Sequence, residues 1–224
     1  EEKCHDGVRL LSWDPKAGKV EVRPLPKLPK PVAFVAAALV GETVYVAGGM
    51  NAAGSTATRD FWALDLKKTP PKWETLSPWP GPARIKAVAG SFQGSLYLFS
   101  GTVLTPGSDD GSTEQYLTDA YRYRPGSEWE KLPDLPRPAA AAPSPAPQHA
   151  RRYVVVLGGA RGAWDEKPRR RTRPQGTRPG LDQDILGFDT WTESWVPMGD
   201  MPVRPIGTPA VLWEGLIVVR SEEH

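Results

Sequence analysis

Four basic residues lie in proline-rich stretches just before a recurring apolar segment, and their charge suits them to hold an anion. They are Lys30, Arg84, Arg137 and Arg204. If the fold gathers these segments around one axis, the four cations form a rim that suits an anionic sugar. The alternative is that each cation only solvates its proline-rich turn.

Further polar side chains recur at fixed places in the pattern. Ser100 stands where two other copies carry glycine, so its hydroxyl is either a ligand contact or simply a small group that fits. Asp60, Asp119 and Asp184 come just before a recurring aromatic segment. A carboxylate at such a place is expected to cap a turn.

The residues that usually bind metals are scattered along the chain. The single cysteine is Cys4, and the three histidines are His5, His149 and His224. This spacing favours neither a zinc site nor a copper site, and one cysteine excludes an intrachain disulfide. We therefore expect no metal site.

One apolar segment that ends in two small residues recurs about 50 to 65 residues apart. It reads VYVAGG at 44–49, LYLFSG at 96–101, VVVLGG at 154–159 and IVVRSE at 217–222. The first three copies are each followed by an aromatic segment and a tryptophan: Trp73, Trp129 and Trp195. A degenerate copy of the aromatic part starts at Val8. The chain is therefore built from repeats.

Short aliphatic or aromatic strands separated by turns predict small antiparallel sheets that are buried on both faces. The small pair lets a neighbour approach the backbone, and the tryptophan supplies apolar area shared between sheets. These features resemble kelch repeats, which have a period near 50 residues. We predict an all-β, kelch-type β-propeller with three four-stranded blades at 33–81, 82–138 and 139–204, and half-blades at 1–32 and 205–224.

The two half-blades leave two arrangements open. Either they meet and close a ring of four blades, or they belong to different blades of a larger ring. Kelch rings usually have six or seven blades, and a four-blade closure needs tighter inner strands than this sequence has. We therefore favour part of a larger ring.

Composition sets outer limits on function. The 224 residues include 25 Pro and 22 Gly, which favour turn-rich β structure over helices. The 28 basic and 26 acidic residues nearly balance, so the protein has no strong net positive charge that would indicate a nucleic-acid partner. No apolar run is long enough to indicate a membrane span.

Several stretches are similar to the N-acetylneuraminate epimerase, or sialic-acid mutarotase, family and in particular to its cyclically permuted branch. They are SPWPGPARIKAVAG at 77–90, LYLFSG at 96–101, YLTDAYRY at 116–123, LPDLPRPAAAAPSPAP at 132–147 and TPAVLWEGLIVVRSEE at 208–223. The resemblance implies a six-bladed kelch propeller, of which this chain covers about two thirds. It also implies cofactor-free interconversion of the anomers of N-acetylneuraminate in a periplasmic or secreted location.

The resemblance assigns roles to two residues. Glu223 matches the carboxylate of the family's Ser-Gly-Glu segment and is the candidate acid/base, although Glu222 replaces the usual glycine. The arginine that follows this segment in the family falls beyond the chain end. Arg84 matches the family's PGPAR segment and is the candidate contact for the sugar carboxylate.

The leading hypothesis is therefore an isomerase that acts on sialic acid by acid/base catalysis, with Glu223 catalytic and Arg84, Arg137, Arg204, Lys30 and Ser100 in substrate binding. Its rival is a non-enzymatic propeller that binds carbohydrate or protein through its long loops at 50–59, 102–115 and 160–183. A third hypothesis is a partial gene product that folds in part and is inactive.

Overall fold

All regular structure in this protein consists of β-strands wherever the structure, a computed structural model, describes the chain. The described residues are 4–51, 56–106, 112–162, 181–202 and 207–219. All strand pairs in these ranges are antiparallel. Within the same ranges, no helix has the length and apolar character to cross a membrane. The all-β prediction is confirmed.

The strands form three four-stranded sheets, two terminal hairpins and one inserted hairpin. The first hairpin pairs β1 (Val8–Asp14) with β2 (Lys19–Leu25). The first four-stranded sheet contains, in spatial order, β3 (Ala36–Val40), β4 (Thr43–Ala47), β5 (Phe61–Asp65) and β6 (Trp73–Thr75).

The second four-stranded sheet contains β7 (Val88–Phe92), β8 (Ser95–Phe99), β11 (Ala120–Tyr123) and β12 (Trp129–Leu132), and between its second and third strands lies a hairpin of β9 (Thr102–Pro106) and β10 (Ser112–Tyr116). The third contains β13 (Gln148–His149), β14 (Tyr153–Ala160), β15 (Leu181–Asp189) and β16 (Ser194–Asp200). The last hairpin pairs β17 (Ala210–Trp213) with β18 (Leu216–Val219). Each predicted blade range thus holds one four-stranded sheet, while the exact boundaries stay a prediction.

Central strands are apolar along their whole length because both faces of each sheet are covered. All five residues of β8 are buried, and so are seven consecutive residues of β14. Between the first two sheets, the rings of Phe61, Tyr123 and Trp129 lie 4.9 to 5.2 Å apart. An equivalent trio, Phe99, Phe188 and Trp195, joins the second sheet to the third.

The recurring tryptophan ties each sheet to the one before it. Its indole N–H donates to a carbonyl oxygen just after the last strand of the preceding sheet or hairpin: Trp73 to Pro26 at 2.9 Å, Trp129 to Ser77 at 3.1 Å and Trp195 to Pro133 at 2.9 Å. The ring supplies apolar area, and its one polar atom finds a partner. The prediction that these residues occupy one slot is confirmed.

The small pair at the end of each second strand packs against the residues that immediately precede the innermost strand of the sheet. We call these residues the lead of that strand. Gly49 has a φ of +100°, and a Cβ there would lie 2.8 Å from the carbonyl oxygen of Ala33. Gly101 has a φ of +104°, and its Cβ would lie 2.8 Å from the carbonyl oxygen of Ile85. Only glycine tolerates both the conformation and the contact. The predicted close approach to the backbone is confirmed.

The terminal hairpins each cover one neighbouring sheet and leave their other face open. Leu11 and Trp13 on β1, and Trp213 and Leu216 on the last hairpin, are between 63% and 70% exposed. Among the described residues, β1 pairs only with β2 and β18 pairs only with β17. These pairings do not join the terminal hairpins into one sheet, and the blade number stays a prediction.

Candidate binding site in the central cavity

Three of the four predicted rim cations are paired with aspartates of their own sheet. Lys30 contacts Asp60 at 2.8 Å, Arg84 contacts Asp119 at 2.6 Å, and Arg137 Nε donates to Asp184 at 3.0 Å. The turn-capping role expected for Asp119 and Asp184 is wrong, because their carboxylates instead accept from the arginine that precedes the innermost strand. Asp60 forms a salt bridge with Lys30. The fourth cation, Arg204, lies outside the described residues, as does Glu223.

Arg84 is enclosed within the protein. Its side chain is 0% exposed and packs on the rings of Trp79 and Tyr121. Both terminal nitrogens donate to Asp119, at 2.7 and 2.6 Å, and one also donates to the Ser100 carbonyl oxygen at 2.8 Å. A ligand carboxylate would have to displace Asp119 to reach this guanidinium. The substrate-binding role of Arg84 stays a prediction that this geometry does not favour.

The other described candidates differ in accessibility. Ser100 is fully buried, and its hydroxyl donates to the Leu117 carbonyl at 2.8 Å and accepts from the Ala139 amide at 2.8 Å. This hydroxyl therefore links two sheets. Arg137 is 12% exposed at its side chain, whereas Lys30 is 43% exposed and has the more open charge.

A cavity of about 290 Å³ lies where the leads of the four innermost strands converge. We call it the central cavity. Its lining includes Phe34, Lys86, Ala141, Ser144, Gly207 and Thr208. These residues precede β3, β7, β13 and β17, so four successive sheets each contribute to one space.

Backbone hydrogen bonds hold the four leads in a regular arc. The amide of Lys86 donates to the Phe34 carbonyl at 3.0 Å, that of Ala141 to the Lys86 carbonyl at 2.8 Å, and that of Gly207 to the Ala141 carbonyl at 2.7 Å. All four residues have φ between +55° and +61°. Because one backbone conformation repeats around the cavity, side chains at this position occupy equivalent places.

Among these four equivalent residues, Lys86 is the one with a charged side chain. Its partners come from the β9–β10 hairpin. Lys86 Nζ donates to Glu114 Oε1 at 2.9 Å, and the Tyr116 hydroxyl donates to Glu114 Oε2 at 2.8 Å. Burial alone would raise the pKa of Glu114, but these two hydrogen bonds outweigh it and lower the pKa. Burial and the adjacent Glu114 raise the pKa of Tyr116. At neutral pH Glu114 is therefore a carboxylate and Tyr116 a protonated phenol.

The remaining lining adds an aromatic surface and a free hydroxyl. The Phe34 ring is 44% exposed and lies 5.8 Å from Lys86 Nζ. Thr208 is 6% exposed, and its Oγ1 has no hydrogen-bond partner among the described residues. Buried hydroxyls are usually hydrogen-bonded, so an unpaired one that lines a cavity indicates a place for a ligand or water. No cluster of metal-binding side chains occurs in the described ranges.

The sequence prediction missed Lys86, Glu114, Tyr116, Phe34 and Thr208. A signal was present for Lys86, since it is the one charged residue between Ile85 and Phe92. Glu114 and Tyr116 lie in or next to the segment 102–115 that was interpreted as a long loop. Nothing about the residue types of Thr208 and Phe34 marks them in the sequence as candidates for a binding site.

Comparisons with known proteins agree on one family and one fold. A family model described as N-acetylneuraminate epimerase matches residues 25–166. The N-acetylneuraminate epimerase of Pasteurella multocida is 36% identical over 132 residues, which are 58% of this chain and 32% of that protein. That of Brucella suis is 27% identical over 235 residues, covering 93% of this chain and 57% of that protein.

A solved structure, "Structure of YjhT", superposes with a TM-score of 0.63 at 23% identity, over 84% of this chain and 58% of the other. This likeness confirms the predicted propeller fold. The chain spans between about a third and three-fifths of the length of these proteins.

Proposed function

Because the chain belongs to the N-acetylneuraminate epimerase family, we propose that it interconverts the anomers of N-acetylneuraminate and that the sugar binds in the central cavity. The observation that carries this proposal is the convergence of the Lys86 ammonium, the open Phe34 ring and the unpaired Thr208 hydroxyl on one space. Ligand sites typically combine a mostly apolar lining with a few placed polar groups.

The chemistry of the reaction matches what the cavity offers. Anomer exchange opens the sugar ring when the anomeric hydroxyl loses a proton and the ring oxygen gains one. The substrate also carries a carboxylate, which requires a cation. Lys86 supplies the cation.

Glu223 is the candidate acid/base from the family resemblance, and it lies outside the described residues. A periplasmic or secreted location is likewise proposed on the resemblance alone.

The proposal is tested by following anomer exchange of N-acetylneuraminate by proton NMR with and without the protein. We expect faster exchange with the protein, and loss of that acceleration in Glu223→Gln with retained binding. Absence of acceleration would refute the proposal. Binding of the sugar without acceleration would instead support the rival, a non-enzymatic propeller that binds carbohydrate.

A further inference from the structure

Lys86 is the described cation that lines the central cavity and keeps donors to spare. An ammonium has three N–H donors, and one of them is used by Glu114. The side chain of Lys86 is 31% exposed, in contrast to the enclosed Arg84. A ligand that enters the cavity therefore meets an accessible positive charge.

The ion pair between Glu114 and the Lys86 ammonium can break without leaving Glu114 bare of hydrogen bonds. Its second oxygen accepts from the Tyr116 hydroxyl, which keeps the carboxylate hydrogen-bonded when the ammonium turns away. The Glu114 side chain is 26% exposed, so solvent also stabilises it. A partly exposed ion pair of this kind contributes little to stability, so a ligand loses little when it separates the two groups.

Charge balance limits the ligand to a single negative charge. Lys86 and Glu114 cancel each other, so a monoanion that takes over the ammonium leaves one negative charge at the cavity. A dianion such as a phosphate monoester would leave two negative charges at the cavity, and neighbouring like charges repel each other. The unpaired Thr208 hydroxyl offers a neutral hydrogen bond, and the Phe34 ring offers an apolar surface for a sugar face.

We propose that the central cavity contains a carboxylate subsite in which Lys86 binds the carboxylate of a sugar acid, Thr208 donates to a second ligand oxygen, and Glu114 is a built-in competitor that the ligand displaces from Lys86. The identity of the sugar rests on the proposed function. The requirement for one negative charge rests on the contacts of Lys86 and Glu114.

The test compares the dissociation constants of N-acetylneuraminate and its uncharged methyl ester by calorimetry. Wild type binds the acid more tightly than the ester. Lys86→Met weakens binding of the acid about tenfold or more and removes the preference for it. Glu114→Gln, which retains an acceptor for Tyr116, tightens binding of the acid about two- to fivefold.

Thr208→Val weakens acid and ester alike, about two- to tenfold. Lys27→Met serves as the matched control, because Lys27 pairs with Asp6 in an exposed ion pair outside the cavity lining. It leaves both dissociation constants unchanged.

Opposite signs for Lys86→Met and Glu114→Gln are the decisive result, because misfolding does not tighten binding. Weaker or unchanged binding of the acid in Glu114→Gln overturns the subsite, and so does an acid preference that survives Lys86→Met. If these binding effects occur without anomer exchange in wild type, the proposed function fails and the subsite stands. If exchange occurs but the variants bind the acid as wild type does, the subsite fails alone.

Discussion

Replacing Arg84 with methionine separates a structural role of this residue from a role in ligand binding. The guanidinium is 0% exposed and makes two hydrogen bonds to Asp119, one to the Ser100 carbonyl oxygen and one to the Pro82 carbonyl oxygen. Methionine retains most of the apolar stem but none of the donors. The variant therefore leaves a buried carboxylate and a buried carbonyl without their partner.

The expected loss of stability follows from these contacts. Breaking a buried ion pair by removing one partner costs about 3–5 kcal/mol. The side chain of Asp119 is 12% exposed and regains little hydration, so we expect Arg84→Met to lose free energy of unfolding within this range. Asp119→Asn in the same background removes the uncompensated charge and recovers part of the loss.

The measurement is the free energy of unfolding from urea titration followed by tryptophan fluorescence. Lys27→Met, which breaks an ion pair whose side chains are 73% and 32% exposed, is the control and costs less than about 1 kcal/mol. A loss for Arg84→Met as small as that of the control would refute the structural role. Unchanged stability with loss of sugar binding would favour the original prediction that Arg84 contacts the substrate.

Three further experiments test the repeat and one buried phenol. Gly49→Ala costs more than Gly94→Ala in thermal unfolding, because both have positive φ but only the first places a Cβ 2.8 Å from a backbone carbonyl oxygen. Trp129→Phe lowers the free energy of unfolding by about 0.5–1.5 kcal/mol, since it removes the exposed hydrogen bond from the indole to the Ser77 carbonyl oxygen. Burial, followed by the charge of Asp119, raises the pKa of Tyr121 to about 12, so the folded protein keeps a proton that the unfolded chain loses. Stability therefore falls between about pH 10 and pH 12, and Tyr121→Phe makes that fall shallower in alkaline urea titrations.

The sheets were predictable because their signals are local and recur. Trp129 is close in sequence to the strands it covers, and its slot repeats at Trp73 and Trp195. The small pair at Gly49 marks a close backbone contact that no larger residue permits. Repetition turned weak individual signals into a consistent pattern, as expected when every level of the sequence favours one fold.

The site was only partly predictable, because one backbone conformation reverses the expected direction of a side chain. Along an extended strand, Arg84 and Lys86 share a face, so a sequence argument treats them alike. Lys86 has a φ of +55°, which breaks that alternation. Arg84 consequently lies inside the sheet against Asp119, while Lys86 lines the cavity two residues later.

Some side chains recur at the same place in every sheet, whereas others differ between sheets. This difference points to the candidate site. The cation–aspartate pairs recur in all three four-stranded sheets, as do the tryptophan and the small pair, so their roles are explained by the fold. The position at the cavity has one repeating backbone conformation but four different side chains: Phe34, Lys86, Ala141 and Gly207. A scaffold requirement would select the same residue each time, whereas an asymmetric ligand contacts each sheet differently. The search for function in a repeat protein therefore belongs at positions where the backbone recurs and the side chain does not, and here that search leads to Lys86.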